Sequence, residues 1–141
     1  MIVETIADKM TDSEVTITKL SDALGKIAEE RNAGYELAPA DKRVAWMFIG
    51  VRQTGGTKAP AYVRVQFRPE VAVHLRDLGE HLGQWRPAAG NPEGSPFSVQ
   101  FVFDRKEKPY VASIFVTLTG EPTSPSAVVE EVTIRRDARR Q

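Results

Sequence analysis

Tyr62, Arg64, Gln66 and Arg68 alternate along the chain and carry its most suggestive chemistry. In an extended strand every second side chain shares a face. One face would then hold an aromatic ring, two guanidiniums and an amide. Base stacking plus phosphate contact is what a single-stranded nucleic-acid platform uses. Lys58, the Arg105-Lys106-Glu107-Lys108 stretch and the C-terminal Arg135, Arg136, Arg139 and Arg140 extend the basic surface. The same residue types suit a protein interface, where Tyr and Arg are enriched. Asp104, Glu107, Glu130 and Glu131 dilute the positive charge, and Trp46 and Trp85 are the expected interface anchors.

Catalytic constellations are harder to assemble. The chain has two histidines and no cysteine. Thiol catalysis, disulfides and thiolate-held metals are thereby excluded. His74, Asp77 and His81 fall near one edge of an expected helix, but a metal needs three or four convergent ligands and no partner is evident. No metal or cofactor is expected. Gly50, Gly55, Gly56 and Lys58 do not make a phosphate loop, because a glycine stands where that motif needs its lysine and a strand follows instead of a helix. Ser or Thr nucleophiles lack a Gly-x-Ser-x-Gly elbow. Glu29-Glu30 and Glu130-Glu131 are neighbours in sequence, so each pair diverges in a helix or a strand. No catalytic residue is assigned, and the reading leans away from an enzyme.

Nineteen basic and nineteen acidic groups give a net charge of zero. The zero hides a polarity. Residues 1–42 carry nine acidic groups against five basic, a balance of −4, and the remainder carries +4. Such polarity suits self-association, and neutral colloids are poorly soluble unless assembly shields them. Glu4 and Asp8 interrupt any apolar leader, and no window of 18 apolar residues occurs, so a cytoplasmic protein without membrane contact is expected.

The elements that must position these residues follow from periodicity. Leu20, Leu24, Ile27 and Ala28 predict a helix over about 20–33. Residues 12–19 read equally as its first turns or as a short strand. Arg43–Arg52 is a strand with Val44, Trp46 and Phe48 on one face and Ala45, Met47, Ile49 and Val51 on the other. Apolar residues on both faces predict a strand covered on both sides or a face buried by a partner chain. Gln53–Pro60 reads as a long mobile tip, and Ala61–Arg68 completes a hairpin. Pro69 opens a second helix with a Val71, Leu75, Leu78, Leu82 stripe through about Gly83. Pro87–Pro96 is a loop. Phe97–Asp104 and Tyr110–Leu118 form a second hairpin, and Ala127–Arg135 a last strand.

The expected fold is therefore one α+β domain over 1–141. It is a two-layer sandwich with an antiparallel sheet of about five strands and two main helices. The leading functional expectation is a non-enzymatic binding or assembly protein, a homo-oligomer or partner of another protein. Its size and fold class suit a phage-like structural, anti-defence or immunity-type role, an analogy that does not fix function. The second expectation is nucleic-acid binding through Tyr62, Arg64, Arg68 and the terminal arginines. The third is a small-ligand sponge or an enzyme with a fold-assembled pocket.

Overall fold

A computed structural model describes residues 1–88 and 97–139. Most of the Pro87–Pro96 loop, and Arg140, lie outside the described residues. The elements are α1 (Ile2–Met10), α2 (Ile17–Leu24), β1 (Gly25–Arg31), β2 (Gly34–Pro39), β3 (Val44–Thr54), β4 (Thr57–Phe67), a 3-10 turn (Pro69–Val71), α3 (Leu75–Leu82), β5 (Arg86–Pro87), β6 (Ser98–Phe103), β7 (Tyr110–Leu118) and β8 (Val129–Ala138). All eight strands form one sheet in the order β1-β2-β3-β4-β8-β7-β6-β5, and every pairing is antiparallel.

The expected sheet of about five strands with two main helices is corrected: the fold is dominated by an eight-stranded sheet, with three α-helices among the described residues. The largest difference falls at residues 25–31. The helix expected over 20–33 ends at Leu24, and Gly25 turns the chain at φ 150° into β1. A Cβ on Gly25 would sit 2.0 Å from the Ala38 carbonyl oxygen, so the strand can leave the helix there only as glycine. Ile27, counted on the helical stripe, stands 45% exposed on the strand. Upstream, Thr16 accepts from the Lys19 amide and caps α2, which settles residues 12–19 as a lead-in and a helix start rather than a strand.

The second expected helix is also broken. Its first turn is a 3-10 turn, Ala72 adopts a left-handed φ of 51°, and α3 starts only at Leu75. The break lets the Val73 carbonyl accept from the Val129 amide at 2.7 Å, tying the segment to the start of β8. The tip expected to be long is short: β3 and β4 continue to Thr54 and from Thr57, with Gly55 and Gly56 at φ 58° and 83° closing a two-residue turn.

The core lies between the helices and one face of the sheet. Val3, Ile6 and Met10 of α1, Leu20 of α2 and Leu78 of α3 are buried against Met47, Ile49, Val63, Val65, Phe101, Ile114 and Ile134. A bulge at Ala45 shifts the register of β3, so Val44 pairs with Phe67 in the core and leaves Trp46 and Phe48 on the opposite face. This corrects the grouping of Val44 with those two rings. Arg136 locks the helix layer to the sheet. Its Nε donates to the Met10 carbonyl in the last turn of α1 at 3.1 Å, and its Nη2 to the Asp12 carbonyl just beyond the helix at 2.8 Å. None of the helices is long and apolar enough to cross a membrane among the described residues.

Candidate functional site

The other face of the sheet has no helix against it among the described residues, and the strand registers place its side chains in rows. One row runs Trp46, Gln66, Glu131, Thr117, Ser98 across β3, β4, β8, β7 and β6. The next runs Glu36, Phe48, Arg64, Thr133, Phe115, Gln100. A third runs Gly34, Gly50, Tyr62, Arg135, Ser113, Val102.

Aromatic rings make the centre. Trp46 and Phe48 lie parallel, 5.8 Å apart at 3°. Phe48 and Tyr62 are 6.5 Å apart. Phe48 is only 7% exposed although no helix covers this face, because its aromatic neighbours flank it. The Tyr62 ring lies over Gly50, where a Cβ would come 2.1 Å from Cζ. A glycine opposite a ring thus provides the flat seat that keeps Tyr62 down on the sheet.

Each of three arginines on this face holds a carboxylate. Arg31 donates to Glu29 and Glu36, both at 3.1 Å. Arg64 donates from Nε to Glu131 at 2.9 Å while its guanidinium lies 5.5 Å from the centre of the Trp46 ring. Arg135 donates to both oxygens of Asp137 at 2.9 and 3.2 Å and lies 5.0 Å from the Phe115 ring. Ser113 donates to the same Asp137 at 2.6 Å. Trp46 donates its indole N–H to Glu36 at 3.1 Å. That bond, with Arg31 beside it, holds the Glu36 carboxyl below the usual glutamate range.

The residues singled out in the sequence separate accordingly. Tyr62, Arg64, Gln66, Arg135 and Trp46 share the open face. Arg68 leaves it: the strand has ended, and its Nε donates to the Lys42 carbonyl at 2.9 Å. Lys58 lies on the hairpin arm, bound to Glu30 at 3.1 Å and 5.7 Å from the Tyr35 ring; Glu30 raises its pKa. Arg136 serves the helix layer and stacks 3.5 Å from the Tyr110 ring, and burial lowers its pKa. Arg139 folds back onto Asp104 and the Lys108 carbonyl, and its guanidinium depresses the Asp104 pKa. Trp85 packs against the core on the α3 side, near Leu75 and Arg76. His74 is the N-cap of α3 and its amide donates to the Asp77 carboxylate at 3.0 Å, while His81 sits 3.6 Å from Glu4. Among the described residues no cluster of three His, Asp or Glu can hold a metal.

Sequence reasoning grouped Phe48 with Trp46 and counted Glu131 against the basic surface, but passed over Glu36, Phe115 and Asp137 as members of this face. Asp137 had a readable signal, since it follows Arg135 by two in a strand. Glu36 and Phe115 had none, because their neighbours come from β3 and β8, distant in sequence. The chain matches no protein-family model, no curated protein and no solved structure.

Proposed function

We propose that this is a non-enzymatic binding protein that assembles through the open face of its sheet, with a second copy of itself as the partner. One observation carries the reading. An aromatic strip of Trp46, Phe48 and Tyr62 is rimmed by arginines that each hold a carboxylate already. Aromatic and arginine anchors with balanced charge are the composition of protein interfaces. A face bearing both signs is also one that a two-fold copy can satisfy, since every Arg–carboxylate pair can be shared across the axis. Two such faces would stack as a sandwich about 10 Å thick, closing the apolar strip away from water. The proposed setting is cytoplasmic.

Native mass spectrometry across a concentration series tests this. A dimer that dissociates in Tyr62→Ala and Trp46→Ala, with circular dichroism unchanged, supports the proposal. A strict monomer at high concentration contradicts it.

Nucleic-acid binding is the second reading. It is favoured by Tyr62, Arg64, Gln66 and Arg135 standing on one face. A polyanion would have to displace Glu131 and Asp137 from those arginines, which weakens the attraction that drives such binding. A gel shift with single-stranded or duplex DNA and RNA at low salt decides it; the absence of any shift ends this reading.

A further inference from the structure

We infer that the cleft where β3, β4 and β8 meet the Pro69 turn is a binding site for a small organic cation with an apolar body. The cleft holds about 580 Å³, within the range of small-molecule sites, and opens to solvent at the end of the sheet. Two β-bulges build it. On β3 the register slips between Val44 and Trp46, which pushes Ala45 out of the ladder. On β8, Thr117 pairs with Glu131 and Leu118 with Val129, which leaves Glu130 as the extra residue. Bulges at one end of a sheet re-aim side chains, and they concentrate near binding sites. Here both turn a residue toward the same space.

The lining dictates the ligand. Ala45, Phe67, Pro69 and Val129 supply an apolar floor. Glu130 and Glu131 supply the charge, and no lysine, arginine or histidine lines the cleft among the described residues. Glu131 is held by Arg64. The Glu130 carboxylate is exposed and has no hydrogen-bond or ion-pair partner among the described residues. An ammonium on a short alkyl chain satisfies both halves: its chain covers the apolar floor and its head meets Glu130. A carboxylate on the same chain meets repulsion. This site goes beyond the proposed assembly: it borders the aromatic strip, sharing Gln66 and Glu131 with the Trp46 row, while its floor of Ala45, Phe67, Pro69 and Val129 lies outside the strip.

The test is an amide NMR titration of the full chain with hexylammonium chloride and, in parallel, sodium hexanoate, at low salt. Affinity for so small a probe is on the order of millimolar. The expected result is a saturable hexylammonium response confined to Ala45, Thr119 and Val128 to Glu131, with no matching response to hexanoate. Glu130→Gln weakens it about fivefold through the lost charge pair, and Ala45→Leu, which fills the cleft from an exposed position, abolishes it. An equal response to hexanoate, a response spread over Trp46, Phe48 and Tyr62, no saturable response, or unchanged binding in Glu130→Gln overturns the inference.

Discussion

The two faces of the sheet are made from the same strands, residue by alternate residue, and yet obey different rules. The inner face is apolar across its centre, with Arg136 toward one end of β8. Met47, Ile49, Val63, Val65, Phe101, Ile114 and Ile134 are fully buried under the helices. The outer face takes the alternate positions of those strands and fills them with aromatic rings, arginines and carboxylates that satisfy one another. A solvated face needs no aromatic strip. A second core would carry no charges. The outer face is neither, and this combination is the observation that supports the proposed interface.

The inner face should fail first and hardest. Phe101→Ala, at a fully buried side chain, is expected to cost about 3–5 kcal/mol in urea or guanidinium unfolding. Arg136→Ala cuts the tie between the layers. Losing two bonds from a charged donor to the Met10 and Asp12 carbonyls is expected to cost about 2 kcal/mol. Faster amide exchange should follow at the end of α1, and unchanged exchange there would show that Arg136 does not hold the helix.

The outer face should respond differently. Gly50→Ala places a methyl group under the Tyr62 ring, at an expected cost of about 1–2 kcal/mol from overpacking. Its larger effect is on assembly, because Tyr62 must lift from its seat; an undisturbed Tyr62 ring in NMR spectra would refute the packing argument. Glu36 offers the mildest probe. Its pKa is lowered by the Trp46 indole and then by Arg31. A lowered carboxyl pKa stabilises the fold above the ordinary glutamate value, and that contribution is lost as pH falls through the depressed value. The indole N–H resonance of Trp46 should therefore titrate below the usual glutamate range. Trp46→Phe should return the Glu36 carboxyl toward that range in carbon-detected titration.

Much of the inner face was legible. The alternation of Val63, Val65 and Phe67 against Tyr62, Arg64 and Gln66 is a two-residue period, and only one side of it is apolar. The failures have physical causes. Leu20, Leu24, Ile27 and Ala28 imitate a helical stripe, and only Gly25 between them marks the change to a strand. Val44 was assigned to the wrong face because a bulge at Ala45 breaks the period, and a single extra residue leaves no trace in hydrophobicity. The ion pairs of the outer face join residues up to 67 positions apart, as Arg64 and Glu131 are. No local pattern encodes such a pairing; it follows from β8 entering the sheet beside β4.

The account turns on whether the outer face is covered in solution. Sedimentation equilibrium of the intact chain beside Trp46→Ala measures this directly. The expected result is a wild-type mass twice the 15.6 kDa of the chain and a variant that falls to the single mass while its unfolding midpoint moves little. A wild-type chain that stays at the single mass at high concentration, or a dimer that Trp46→Ala leaves intact, contradicts it.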